Sequence, residues 1–209
     1  MKEIVKYTVQ ERLKPSNLSN ISDAQINDHW TLYVGYVNQV NRLNDDLIQL
    51  ISVNQTNSLI YSDRRRRMGF EYNGMILHEY YFGNLCSKCS TLKTGALRQG
   101  IEKQWGTVEA WLEDFSNTGK TRGIGWAILY MDTLTEQLIN VFVKEHENGH
   151  IASFVPLLVM DVWEHAYMVD HKAGGRADYI NAFFLNINWK VVEERSEERR
   201  VGKECRSRW

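Results

Sequence analysis

Apolar residues recur at helical spacing through the first half of the chain and change to strand-like runs in the second. Beginning near Ser22, the positions Ile26, Tyr33, Tyr36 or Val37, Val40, Leu43, Leu47 and Leu50 form one apolar stripe with polar residues between them, which predicts a long amphipathic helix. Ser22 with Gln25 three positions on is a capping box for its start. A second helix is expected from about Leu59 to Leu85, with Met75, His78, Phe82 and Leu85 on one face. Two long helices joined by a short polar stretch make an antiparallel hairpin. The stretch from Cys86 to Gly100, rich in Ser, Thr, Lys and Gly, is expected as a linker. Helical spacing returns over Leu97 to Phe115, through Ile101, Trp105, Val108, Trp111 or Leu112, and Phe115.

The period then changes. GIGWAILYMD and QLINVFVKE are β-branched and aromatic runs joined by a short polar turn, an antiparallel pair, and PLLVMDVW supplies a third strand. ADYINAFFLNINWKVV returns to helix. The expected fold class is therefore α+β: an N-terminal long helical hairpin over residues 1–90, then a C-terminal α/β domain with a small three-stranded antiparallel sheet over 91–195. Residues 196–209, SEERRVGKECRSRW, are rich in charge and lack an apolar period. They resemble translated adaptor sequence and are expected to be an artefactual or disordered tail.

Length and composition narrow the function classes. A chain of 209 residues with 43% hydrophobic residues can bury a sizeable core without staples. Its cysteines number three, too few for a disulfide framework, and no charged start followed by an apolar stretch marks a signal peptide. No apolar run approaches the roughly 20 residues that span a bilayer. A cytoplasmic protein with no membrane partner is expected. A formal net charge of -1 argues against a general nucleic-acid binder. Arg64 to Arg67 form a basic run, but Asp63 and Glu71 flank it, which reads as an ion-paired helix surface. Cys86 and Cys89 form a C-x-x-C that has no second pair beside it, so an incidental loop pair is expected rather than half a zinc site or a redox pair.

The segment LLVMDVWEHAYMVDH breaks from an apolar run into Asp161 and, four residues later, His165. Alone, such a motif also describes a strand ending in a polar turn where an acid orients an imidazole. His29 on the stripe of the first helix and His78 on the facing stripe of the second likewise fit ordinary core histidines when taken singly. Brought face to face by the hairpin, and joined by Asp161 and His165 from the second half, they offer three imidazole nitrogens and one carboxylate oxygen. That donor set suits a borderline ion of the iron, manganese or zinc type.

Six segments, SDAQINDHWTLYVGYVNQVN, NGMILHEYYF, QWGTVEAWLEDF, GIGWAILY, DVWEHAYM and RADYINAFFLNINW, follow one another as in the iron/manganese superoxide dismutase family, which the chain resembles from about Leu18 to Arg195. The resemblance implies His29, His78, Asp161 and His165 as ligands of one iron or manganese ion per subunit, superoxide as substrate, and a homodimer or homotetramer. Dismutation needs a metal that cycles between trivalent and divalent states, which redox-inert zinc does not do. It further implies Tyr36 near the substrate channel, Trp126 and Trp163 in an aromatic wall, Glu164 reaching across a dimer interface to a ligand histidine, and Arg176 attracting the anionic substrate. A non-catalytic metal-binding homologue, serving as a structural or dimerisation module, is the alternative.

The chain also departs from the family pattern. His29 and Tyr36 are seven residues apart where eight is usual; seven is two regular turns, whereas eight fits an inserted residue in a bulge. The glutamine that commonly bonds the metal's solvent is missing: Gly74 stands at one of its two origins and His146, fifteen residues before Asp161, at the other. His146 is the candidate for that role. At the interface, the usual histidine and tyrosine are Tyr33 and Met168, expected to pack against each other across the dimer.

Overall fold

The structure, a computed structural model, describes residues 4–89 and 91–206, the side chains of 199–206 excepted. Two long helices form the first part: α1, Asp23–Ser52, and α2, Leu59–Gly83. Ser22 caps α1, its hydroxyl accepting from the Gln25 N–H at 3.1 Å, and Ser58 caps α2 in the same way through Tyr61 N–H. The other half of the expected capping box is not made, because the Gln25 side chain turns away from Ser22. The buried stripe of α1 runs through Ile26, His29, Trp30, Tyr33, Val37, Val40, Leu43 and Leu47, so Val37 takes the core position and Tyr36 is half-buried. The arginine run is ion-paired: Arg64 with Asp46 and Asp63, Arg66 with Asp63, and Arg67 with Glu71.

The linker is shorter than expected. The sulfur atoms of Cys86 and Cys89 lie against each other in this loop, their Cα atoms 5.9 Å apart, and α3, Ala96–Trp105, begins inside the predicted linker. The single helix expected over Leu97 to Phe115 is two. Gly106 sits at φ +84°, a left-handed conformation that ends α3, and Thr107 opens α4, Val108–Gly119, by accepting from Ala110 N–H at 3.1 Å.

The sheet has three antiparallel strands in the order β2-β1-β3: β1 Gly125–Asp132, β2 Leu138–Lys144 and β3 Phe154–Asp161. The central β1 is buried along its whole length. In the ladder Trp126 lies opposite Asp161, so the last residue of β3 is brought beside an indole. After a 3-10 turn over Glu164–Ala166 come α5, Met168–His171, α6, Arg176–Leu185, and α7, Trp189–Arg206.

The predicted single C-terminal helix is broken between α6 and α7. Asn186 is buried, accepting from Ser19 N–H and donating to Ser19 O and Ala182 O, each at 2.8 Å. Beside it Ile187 bridges to Leu85, and Asn188 N–H donates to Asn84 O at 2.6 Å. These backbone partners are worth more to buried Asn186 than continued helix. Within the segment expected to be an artefactual or disordered tail, α7 runs on as helix from 196 to Arg206. Trp189, Val192 and Ser196 are buried at helical spacing, and a small residue at 196 extends a stripe that hydropathy alone does not reveal. Residues 207–209 lie outside the described residues. Among the described residues no helix is long and apolar enough to cross a membrane.

Candidate metal centre

His29 on α1 and His78 on α2 face each other across the hairpin, ring centroids 5.0 Å apart. Asp161 enters from the end of β3 and His165 from the 3-10 turn that follows. The four side chains each offer one ligand atom, and these atoms lie within 4.8 Å of one another. His29, His78 and Asp161 are fully buried, while the His165 side chain keeps 23% of its surface exposed.

The carboxylate organises the group. Asp161 Oδ1 accepts from the Trp163 N–H at 2.8 Å, which aims Oδ2 inward. There it lies 3.1 Å from His29 Nε2, 3.1 Å from His165 Nε2 and 3.8 Å from His78 Nε2. His78 Nδ1 is 2.6 Å from the Gly74 carbonyl oxygen. A carbonyl only accepts, so Nδ1 carries the proton and the neutral ring presents a bare lone pair at Nε2. That buried nitrogen has no hydrogen-bond partner among the described residues. An uncompensated acceptor at this depth is costly unless something fills it, and a cation does.

Protonation states agree with that reading. Burial holds His29 and His78 below the ordinary imidazole range, His78 furthest, with His29 reinforcing the effect. Burial alone would raise Asp161, but the charge of His165 and hydrogen bonds from His165 and His29 outweigh it and hold the carboxyl well below the usual range. Two imidazoles held neutral, His29 and His78, beside one ionised carboxylate fit a divalent or trivalent transition ion.

Around these four, Trp126, His146 and Tyr36 form a chain. The Trp126 indole N–H donates to His146 Nδ1 at 3.0 Å, and His146 Nε2 is 2.7 Å from the Tyr36 hydroxyl. An indole N–H can only donate, so Nδ1 accepts and a neutral His146 carries its proton on Nε2. That proton goes to the Tyr36 oxygen, which leaves the Tyr36 O–H free to donate elsewhere. Burial holds His146 down to about 4 and raises Tyr36 to about 12, with Asp161 and then Glu71 adding to the latter. Trp163 stacks on His146 at 5.0 Å and on His165 at 5.6 Å.

Two expected site residues are engaged elsewhere. Tyr33 is completely buried, accepting from Gln10 N–H at 3.0 Å and donating to Glu79 at 2.8 Å. It cannot pack against Met168 of a partner as expected, because the N-terminal segment already covers it; Met168 itself is exposed. Arg176 spends its guanidinium on the carbonyl oxygens of Thr121, Gly123 and Val162, tying the start of β1 to the end of β3. It acts there as a structural tie, and because carbonyl oxygens do not neutralise a guanidinium its positive charge is retained. Glu164 is exposed on the turn that carries His165.

Sequence reasoning missed Asn73 and His150. Both donate to the His146 carbonyl, at 2.7 and 2.9 Å, and His150 Nδ1 in turn accepts from Tyr130 at 2.7 Å. They fix the loop that delivers His146, and no spacing motif distinguishes them from surface polar residues.

Comparison with known proteins points the same way. Residues 93–195 match the family described as iron/manganese superoxide dismutases, C-terminal domain. Over 201 residues, 92% of each chain, this chain is 36% identical to a protein of Aquifex aeolicus named iron superoxide dismutase. It is 32% identical over 192 residues to one of the same name from Saccharolobus solfataricus, covering 90% of this chain and 89% of the relative. A manganese superoxide dismutase of Haloferax volcanii is 32% identical over 170 residues, 81% of this chain and 83% of the relative.

Proposed function

We propose that this chain, which belongs to the iron/manganese superoxide dismutase family, converts superoxide to dioxygen and hydrogen peroxide at one iron or manganese ion held by His29, His78, Asp161 and His165. The observation that carries the reading is the convergence of three imidazole Nε2 atoms on a single buried carboxylate oxygen, one of them with an unpartnered lone pair. A bound iron or manganese supplies a one-electron couple that can accept an electron from one superoxide and return it to another.

The chain's own residues supply the surroundings. Asp161 contributes a single negative charge, its other oxygen pinned by Trp163 N–H so that only Oδ2 turns inward. Gly74 O sets the tautomer of His78 through a carbonyl contact that also fixes its ring. Tyr36, oriented by His146, holds a proton at its hydroxyl that is available as a donor. Burial keeps that phenol protonated through the neutral range. Trp126 and Trp163 wall the site and exclude water.

Glu164 is the residue we assign to a subunit contact, on the strength of its exposure beside the partly exposed His165. A homodimer, or a homotetramer built from it, follows from that assignment. Metal analysis of the purified protein, run beside superoxide consumption after reconstitution with iron or with manganese, tests the whole reading. Consumption with stoichiometric metal is expected. Bound metal without consumption would leave a non-catalytic homologue that keeps the ion for structure.

A further inference from the structure

Gln25 stands where a helix-capping side chain is expected and does something else. In a capping box the residue at this position returns its side chain to the N–H of the cap residue. Here the Ser22 N–H donates instead to Asp170 Oδ2 at 2.7 Å, and the Ser22 hydroxyl donates to Asp170 Oδ1 at 2.6 Å. Asp170 comes from α5, far along the chain. The Gln25 carboxamide, almost fully buried, is thereby released: Nε2 donates to the His165 carbonyl at 2.6 Å and Oε1 accepts from Val169 N–H at 2.9 Å. Gln25 precedes His29 by one helical turn, so one face of α1 carries one of the four clustered side chains and grips the backbone of another.

We propose that Gln25 is a positioning residue for the metal centre, its carboxamide fixing the His165 backbone against the helix that carries His29, with Asp170 freeing it by taking over the cap of α1. This rests on the metal-centre reading above. The short 3-10 turn at Glu164–Ala166 is closed by local hydrogen bonds, Ala166 N–H to Trp163 O and Tyr167 N–H to Glu164 O, and Gln25 adds the hydrogen bond that ties the His165 backbone to the helix carrying His29. A glutamine carboxamide has the reach and the two groups to donate to a carbonyl and accept from an amide at once.

The test uses the full chain and Mn(II). Affinity is measured by competition with a chelator, the Mn(II) electron paramagnetic resonance spectrum is recorded, and thermal unfolding is followed on the metal-free protein as the control for folding. Gln25→Met removes both hydrogen bonds at similar volume and should weaken Mn(II) binding roughly 10- to 100-fold and alter the spectrum. Asp170→Ala should draw the Gln25 side chain back to the cap and move affinity in the same direction, without adding to Gln25→Met in the double variant. Asp170→Asn, which still accepts from Ser22 N–H, should restore most of the affinity. If Gln25→Met does not fold, the Asp170 pair alone decides. Unchanged affinity and spectrum in variants that fold, or additive losses, overturn the clamp while leaving the metal centre standing. A wild type that binds no Mn(II) and no iron overturns the metal centre itself, and the clamp with it.

Discussion

Gly74 lies in the interior of α2, where glycine costs about 1 kcal/mol relative to alanine. On helix propensity alone, Gly74→Ala stabilises. A Cβ at this position would meet Tyr36 Cδ1 at 2.6 Å and Cε1 at 2.7 Å. The Tyr36 ring is held from its other end by the hydroxyl contact of 2.7 Å with His146, so it cannot swing away freely. Restoring ordinary contact requires a shift of roughly 0.8 Å, enough to stretch that hydrogen bond beyond a useful length. Overpacking costs about 1–3 kcal/mol and the lost hydrogen bond about 0.5–1.5 kcal/mol. Together they exceed the propensity gain, so Gly74→Ala should be destabilised by about 1–3 kcal/mol, a fall of roughly 2–10 °C in Tm for a chain of this size. The superoxide-consumption rate per bound metal should fall toward that of Tyr36→Phe, which keeps the ring and loses only the hydroxyl. Thermal unfolding and metal-normalised rates measured on Gly74→Ala, Tyr36→Phe and the double variant decide the matter. A Gly74→Ala protein that melts higher than wild type with an unchanged rate would refute the packing argument.

Alanine at His29, His78, Asp161 or His165 should abolish stoichiometric iron or manganese, measured on purified protein; full metal in any one of these would remove that residue from the set. His146→Ala should keep the metal and lose rate, whereas His146→Gln, which can still accept from Trp126 and donate to Tyr36, should recover most of it. For the metal-free protein, His29, His78 and His146 are all held below the ordinary value of 6.5 by burial, His146 to about 4. The unfolded chain therefore binds protons first, and stability present above pH 6.5 is lost as pH falls from there toward 4, by up to about 3 kcal/mol for His146 alone. Denaturant midpoints that stay flat across that window would contradict the buried neutral imidazoles. Arg176→Lys cannot reach three carbonyls and should cost about 2–3 kcal/mol, while Arg176→Met, which also removes the charge, should leave the ionic-strength dependence of kcat/KM as in wild type; a flattened dependence there would give Arg176 an anion-attracting role.

What could be read from the chain divides along physical lines. Periodicity carried the hairpin and the three strands because a buried face leaves a regular trace, and the four clustered residues stood out because their spacing matched a known pattern. Breaks inside helical runs were invisible. Gly106 and Thr107 end one helix and start another without disturbing the apolar stripe, and Asn186 breaks the last run only because Ser19 and Ala182 lie within reach of its side chain. Ser196 extends a stripe as a small residue that no hydropathy scale counts. Tyr33 was assigned outward by analogy, yet the N-terminal segment, which no pattern places, lies over it and contributes the Gln10 N–H.

The departures around Tyr36 turn out to be a single change. α1 runs as regular helix from Asp23 to Ser52, and with seven residues between His29 and Tyr36 both side chains leave the same face. That register lays the Tyr36 ring directly over the Cα of Gly74, where any side chain would clash. A glutamine, or any residue larger than glycine, therefore cannot reach Tyr36 from position 74. The hydrogen-bond partner must come from the other half of the molecule, and His146 supplies it from the loop after β2, its ring steadied by Phe70 at 4.5 Å and Trp163 at 5.0 Å. The shortened spacing, the glycine and the histidine thus depend on one another, and restoring a glutamine at 74 should first require the tyrosine to move.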